Sequence, residues 1–267
     1  MVDSTGANQL DLRLVRAGPE LEAAQALRFE VFYREMGAHP TPEMLSLGRD
    51  FDRYDTIADH LVVVDLDRSP DRTRPCVVGC YRMLRGSVAT RHGGFYTSGE
   101  FDLAGVRAPY GEIMELGRSC VHADYRSGAV MQLLWRGIAD YLEAFDVGLM
   151  LGCASLPGTE PEPLAEVLSY LHHYHLAPPE VRPRAVPSRF VRTNRLPREQ
   201  INERQVFRNL PPLLRGYLSI GGMIGEGAVV DHEFNTTDVC LVLPTPVVQA
   251  RSQRLFRHLR PAVAAAA

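Results

Sequence analysis

The stretch EIMELGRSCVHADYRSGAVMQLLWRGIADYL, from Glu112 to Leu142, sets an acid and a base, Glu115 and Arg118, into a run that otherwise reads as an apolar strand. A charge in such a run is costly unless it is paired or put to use. A carboxylate walled by apolar strand neighbours has its pKa raised toward neutral pH. The bland reading of Glu115 is an ion pair with Arg118 or Arg82 that only holds the strand. The run then breaks at Arg126-Ser127-Gly128 and becomes helical from Ala129. A helix start presents backbone N–H groups without internal partners, and such a turn suits a phosphate or pyrophosphate.

The elements that must position these residues follow from hydrophobic period. Gln9–Ala17 alternates like a strand, and Gly18-Pro19 opens an amphipathic helix to Met36 with Leu21, Ala24, Leu27, Val31 and Phe32 on one face. His39–Asp59 reads as a long polar loop, a length usually tied to function or mobility. HLVVVDLD and CVVGCYRMLRG read as two strands across a turn-rich segment, and Glu112–Val121 as a third. Ala129–Phe145 is the clearest helix, and Val147–Leu156 a strand buried on both faces. Strands followed by β–α–β predict an α/β fold with a mixed sheet flanked by helices. After Pro157 the pattern changes: a helix near Pro163–Tyr174, an Arg- and Pro-rich connector, then LPPLLRGYLSIGG and the strand DVCLVLP. The expected organisation is a core over 9–156, an extension over 157–260 that completes the same domain, and a disordered tail over 261–267.

Composition excludes several chemistries. The 267 residues contain 29 basic residues, all of them arginine. A Walker-type phosphate loop and a Schiff-base enzyme both need a lysine. The five cysteines form no CxxC pair and read as reduced core residues, so no metal is expected. No run approaches the roughly 20 apolar residues of a membrane-spanning helix. The N-terminus lacks a signal peptide's pattern, which points to the cytoplasm. Charge is uneven: residues 1–170 hold 16 Arg against 25 acids, and residues 171–267 hold 13 against 7. The basic C-terminal third suggests an acidic partner.

Four short motifs occur in order: R-F-x-V-F from Arg28, D-F-D-x-Y-D from Asp50, G-x-x-R ending at Arg82, and E-L-G-R from Glu115. Together they resemble the acyl-homoserine-lactone synthase branch of the GNAT acyltransferases. Longer stretches, HADYRSGAVMQLLWRGIADYL, GCASLPGTEP, YLHHYHLAPP and LPPLLRGYLSIGGMIGEGAVVDHEFNTTDVCLVLP, resemble the bacterial L-ornithine Nα-acyltransferases, often labelled hemolysin-like. The resemblance covers roughly residues 10–245. It implies a GNAT fold and transfer of a fatty acyl chain, commonly 3-hydroxylated, from acyl carrier protein to the α-amine of L-ornithine. The product would be lyso-ornithine lipid. Acetyl-CoA-dependent GNATs usually carry Q/R-x-x-G-x-G/A, whereas Arg126-Ser127-Gly128-Ala129 is one residue tighter. The tighter turn fits a phosphopantetheine donor, and no further cofactor is implied.

Aminolysis of a thioester needs a proton acceptor and donors to the oxyanion. On the resemblance, Glu115 is the general-base candidate and Arg118 its catalytic neighbour, although strict alternation would put them on opposite faces unless the strand bulges. The backbone at Cys120, Val121 and His122, with Arg126, Ser127, Gly128 and Ala129, is expected at the donor. Direct transfer is typical of the fold, which disfavours Cys120 as a nucleophile. Arg28 and Arg82 can hold a substrate carboxylate, and Asp50, Asp52 and Asp55 its second ammonium. Those aspartates read equally well as caps of a solvated loop.

His172, His173 and His175 do not share one helix face and read as surface or cap residues. The connector 180–208, with eight Arg against three acids, is a candidate dock for an acidic acyl carrier protein. It lacks the aromatic platform of a nucleic-acid binder. Thr245–Arg260 is basic and amphipathic enough either to lie on the inner membrane surface or to cap the fold. Two alternatives stay open: another acceptor, such as S-adenosylmethionine or tyrosine, and a GNAT-shaped membrane-active protein that is no enzyme.

Overall fold

Alternating and apolar runs become strands where they were expected. In the computed structural model, which describes residues 9–15, 18–71 and 73–246, the chain opens with β1 (Leu10–Leu14) and helix α1 (Gly18–Phe29). The last turns of that helix widen into a π-helix over Glu30–Glu35. The His39–Asp59 segment is not a plain loop. It holds α2 (Pro42–Leu47), in which the Thr41 side chain accepts the Met44 N–H, Pro42 sits in the first turn, and Gly48 closes at φ 61°. A 3₁₀ turn, Arg53–Thr56, follows with Asp52 as its cap. Next come β2 (Asp59–Asp65), β3 (Cys76–Arg85), α3 (Gly86–Arg91), a 3₁₀ turn over Tyr96–Gly99 and the short β4 (Phe101–Asp102). β5 (Glu112–Val121), α4 (Ala129–Ala144) and β6 (Val147–Pro157) form the β–α–β core. The remainder is α5 (Ala165–His175), β7 (Arg184–Ala185), α6 (Glu203–Asn209), α7 (Pro212–Ser219), β8 (Met223–Ile224), β9 (Val229–Asp231) and β10 (Thr236–Pro244).

The described chain divides into two compact units. One contains the residues up to Met83 together with Arg118–Tyr141. Its strand order is β1-β2-β3 and the C-terminal half of β5, with the first three antiparallel. Helix α4 packs close on this sheet because two glycines leave room. A Cβ at Gly79 would stand 2.4 Å from Val130, and one at Gly137 would stand 2.8 Å from Leu61. Ala24, Leu27 and Val31 of the first helix pack with Val62, Val64 and Val77, each such burial contributing roughly 1–3 kcal/mol.

The second unit contains Leu84–Gly117 and the described residues from Leu142 onward. The N-terminal half of β5 pairs in parallel with β6, from Glu112 to Glu115. β10, from beyond Pro157, pairs antiparallel with nine residues of β6, and in turn with β8 and β9. β4 and β7 form a separate two-stranded ribbon. One sheet face of this unit carries Cys153 opposite Cys240 and Ser155 opposite Asp238. Phe101, Ala185 and Val229 cluster with Cys240. The expected tail at 261–267 and most of the Thr245–Arg260 segment lie outside the described residues.

Candidate active site

Six of the sequence candidates in the first unit, Arg28, Asp50, Asp52, Asp55, Arg82 and Arg118, form one ion cluster. Arg28 is 1% exposed. Its Nε lies 2.7 Å from Asp50 Oδ2, and its terminal nitrogens donate to Asp55 at 3.1 and 2.5 Å and to the Asp50 carbonyl at 2.5 Å. Tyr33 donates to Asp50 Oδ1 at 3.0 Å and Gln25 to Asp55 Oδ2 at 2.9 Å. Arg82 reaches Asp52 at 2.6 Å and Asp55 at 3.0 Å. Arg118 reaches Asp50 and Asp52, both at 3.2 Å. Three carboxylates therefore face three guanidiniums. Burial alone would raise the Asp55 carboxyl, but Arg28 and then Arg82 hold it well below the usual carboxylate range. Burial lowers His60, whose ring nitrogen contacts the Asp55 carbonyl at 2.9 Å.

Arg118 attains this position through the backbone. Its φ is 50°, left-handed, within a strand. That conformation costs about 1–3 kcal/mol for a non-glycine residue and breaks the period-two alternation. Two ion pairs hold it there.

Past Arg118, Cys120 and Val121 are buried. The Cys80 and Cys120 sulfurs are 3.6 Å apart, and both are free thiols. Burial pushes the Cys120 thiol well up, which makes it a poor nucleophile. His122 donates its backbone N–H to Val78 at 2.9 Å, and its ring accepts the Asp124 N–H. Arg126 donates to the Val121 carbonyl at 3.0 Å and pairs with Glu35 at 2.6 Å. Ser127 and Ala129 are exposed at the start of α4, and Gly128 takes φ 111°, which glycine tolerates.

Glu115 belongs to the second unit and is 6% exposed. The apolar wall expected from its strand neighbours is only part of its surroundings. Oε2 accepts the Tyr96 N–H at 3.0 Å and Oε1 the Thr97 N–H at 2.6 Å. The carboxylate thus caps the 3₁₀ turn and is fixed by it.

A second carboxylate cluster has no counterpart among the sequence candidates. Glu100, Cys153 and Asp238 bring their ligand atoms within 4.8 Å of one another. The Cys153 sulfur lies 3.2 Å from Glu100 Oε2 and 3.6 Å from the Thr97 hydroxyl. Burial, then the nearby Asp238, pushes Glu100 up to about 7, and burial pushes Asp238 up to about 6. The signal that could have found it is the one that singles out Glu115: Asp238 is a charge inside an apolar strand. No metal was expected, and this group is the one set of metal-competent side chains among the described residues. The three histidines do not join it. His173 contacts the Leu196 carbonyl and His175 the Tyr170 hydroxyl, each at 2.9 Å, while His172 contacts Thr193 at 3.3 Å. They are partly buried residues of the last turn of α5, at the helix end as the cap reading expects and not on the open surface.

The connector is also more tied down than its composition suggests. Arg195 pairs with Glu162 at 2.5 Å, Arg184 with Glu226 and Arg189 with Glu100, both at 3.6 Å. Among the described residues, no helix is long and apolar enough to cross a membrane.

Residues 27–136 match the family described as "Acetyltransferase (GNAT) domain". Over 244 residues the chain is 43% identical to an L-ornithine N(alpha)-acyltransferase of Agrobacterium fabrum, covering 91% of this chain and 83% of that protein. A protein of Rhodobacter capsulatus with the same name is 39% identical, covering 92% and 94%. Among solved structures, an N-acyl amino acid synthase from uncultured soil microbes, FeeM, aligns at TM-score 0.46 and 9% identity, over 90% of this chain and 93% of that one. A CoA-dependent acyl-homoserine lactone synthase, BjaI, aligns at 0.47 and 14%, over 92% and 90%. Both structural likenesses are remote.

Proposed function

The chain belongs to the L-ornithine N(alpha)-acyltransferase family and is a GNAT-fold acyltransferase, and from that premise we propose that it moves a 3-hydroxy fatty acyl chain from acyl carrier protein to the α-amine of L-ornithine, giving lyso-ornithine lipid. The observation that carries this reading is 43% identity across 91% of the chain.

The reaction is an aminolysis. The neutral α-amine attacks the thioester carbon, the C–N bond forms, the C–S bond breaks, and the thiol of phosphopantetheine leaves with a proton. Glu115 takes the proton that the amine gives up. Its two backbone hydrogen bonds hold the carboxylate in one orientation, as a general base requires. Within the ion cluster, exposure divides the roles. Arg28, Asp50 and Asp55 are all but sealed and serve as the frame. Asp52, with 20% of its side chain exposed, and Arg118, with 11%, are the less sealed members of the cluster, and Arg82 joins them through Asp52. The turn Arg126–Ala129 holds the donor's phosphopantetheine, since the His122 N–H and the Val121 carbonyl are already taken by Val78 and Arg126. The Arg-rich connector docks acyl carrier protein, and the protein works in the cytoplasm, in peripheral contact with the inner membrane surface.

The test is transfer to L-ornithine from acyl carrier protein and from free acyl-CoA, with products identified by mass, at rising salt. Exposed charges steer only within a Debye length of about 8 Å at physiological salt. The expected result is a preference for the protein-bound donor that shrinks with salt. Equal use of acyl-CoA without salt dependence rejects the docking role. In the same assay Glu115→Gln is expected to lower kcat about 10²–10⁴-fold in a chain that still folds, with a lower melting temperature because one of the two backbone N–H groups loses its acceptor. Near-normal turnover in a folded variant assigns the proton to another group.

A further inference from the structure

Both carboxylate clusters contain acids that a cationic substrate could use, but only one of them is short of cations. Asp50, Asp52 and Asp55 are matched by Arg28, Arg82 and Arg118. In the other unit Glu100 is 4% exposed, Asp238 5% and Asp231 7%. Among the described residues, the cation that pairs with this group is Arg189, 3.6 Å from Glu100 and itself donating to the Val230 carbonyl. Asp231 is occupied elsewhere, since its Oδ1 accepts the Glu233 and Phe234 N–H groups. Asp238 is not fully occupied. The Thr236 and Ser155 hydroxyls support its carboxyl, yet Oδ1 is sealed from solvent and makes no well-formed hydrogen bond among the described residues. A buried carboxylate oxygen with no donor is costly, and the donor it lacks is normally supplied by a ligand, a proton or a metal.

Position narrows the choice. Glu115 pairs in register with Leu151 of β6, and Cys153 follows two residues later, so Glu115, Cys153 and Asp238 face the same side of the sheet. One segment serves both carboxylate groups. The Thr97 N–H holds Glu115 at 2.6 Å, the Thr97 hydroxyl lies 3.6 Å from Cys153, and Glu100 ends the same turn. We propose that Glu100 and Asp238, with Cys153 beside them, receive the side-chain ammonium of the acceptor amino acid, while Glu115 serves its α-amine. This inference rests on the acyltransferase reading above. An acceptor with two amines joined by a short methylene chain would place one at each end of the polar row. Substrate would then bring the positive charge that the cluster lacks, which explains why burial holds Glu100 and Asp238 near neutral without it. The balanced aspartates of the first unit would not read that charge.

The experiment compares acylation of L-ornithine with that of L-norvaline, which has the same carbon chain without the side-chain amine, in wild type, Glu100→Gln and Asp238→Asn. The expected result is a loss of kcat/KM for ornithine of about thirty-fold or more, as for one partner of a desolvated charge pair, with norvaline unaffected. An unchanged ratio, or equal losses for both acceptors, overturns the assignment. Should the variants fail to fold, wild type suffices. 5-Aminopentanoate, which keeps the ammonium and carboxylate but has no α-amine, should inhibit competitively with ornithine, and pentanoate should not. Equal inhibition by both overturns the proposal. One zinc ion per purified chain, lost in Asp238→Asn, would also overturn it. If wild type acylates neither acceptor, the acyltransferase reading itself has failed, a result distinct from a normal enzyme whose preference ignores Glu100 and Asp238.

Discussion

The two units each bury a group of carboxylates, and they solve the electrostatic problem in opposite ways. In the first, three aspartates meet three arginines, and every charge has a partner of opposite sign. In the second, Glu100 and Asp238 share Arg189 as their nearby cation and stand within reach of a thiol instead. Balance yields a rigid frame, because desolvated charges repay their lost hydration only when the geometry is complete. Imbalance yields a site that can accept a cation, because the missing partner leaves a favourable place for one.

The largest effect should come from breaking the balanced group. Arg28→Met removes the guanidinium that joins Asp50 to Asp55 and leaves both carboxylates buried. A loss of about 3–5 kcal/mol in unfolding free energy is expected, the usual result of removing one partner of a buried pair. Denaturant melts check it. A loss below about 1 kcal/mol would mean that the cluster does not act as a frame.

A smaller effect, but one with a distinctive sign, is the pH dependence of stability. The Asp55 carboxyl is held low by Arg28 and Arg82. Its contribution is therefore present above the ordinary carboxylate range and is lost as pH falls through the acid range. Glu100 and Asp238 run the other way. Burial raises them to about 7 and about 6. The folded state binds their protons more tightly than the unfolded state, so that stability is full at acid pH and declines as pH rises toward 7. A tenfold difference in proton affinity between the two states corresponds to about 1.4 kcal/mol, and a decline on the order of 2–4 kcal/mol between about pH 4 and 7 is expected. Chemical denaturation across this range should show the decline in wild type and a flatter profile in Glu100→Gln/Asp238→Asn. A wild-type profile that is flat over the same range would remove the contrast between the clusters.

Legibility in the sequence followed the range of the cause. Glu112–Val121 and the helix from Ala129 were readable because a strand's apolar run and a helix's period are written in consecutive residues. The helix at Pro42–Leu47 was equally local, with Thr41, Pro42 and Gly48 as its signals, but six residues that bury only Met44 are too short for a helical period to show. The left-handed turn at Arg118 had no such signal. An arginine has no intrinsic preference for positive φ, and the ion pairs with Asp50 and Asp52 help to hold it there.

The sequence by itself determined the family, the main strands and helices, and the presence of charges too costly to be idle in apolar strands. Only the tertiary structure decided which charges neutralise one another and which do not. Arg28, Asp50, Asp55, Arg82 and Arg118 lie in separate elements and meet through folding. Glu100, Cys153 and Asp238 meet because β10 pairs with β6 in the register that sets Ser155 against Asp238 and Cys153 against Cys240. The physical reason is that the free energy of a charge depends on its burial and its partners within a few ångströms. Chain neighbours supply few of those partners; strand register and packing supply the rest.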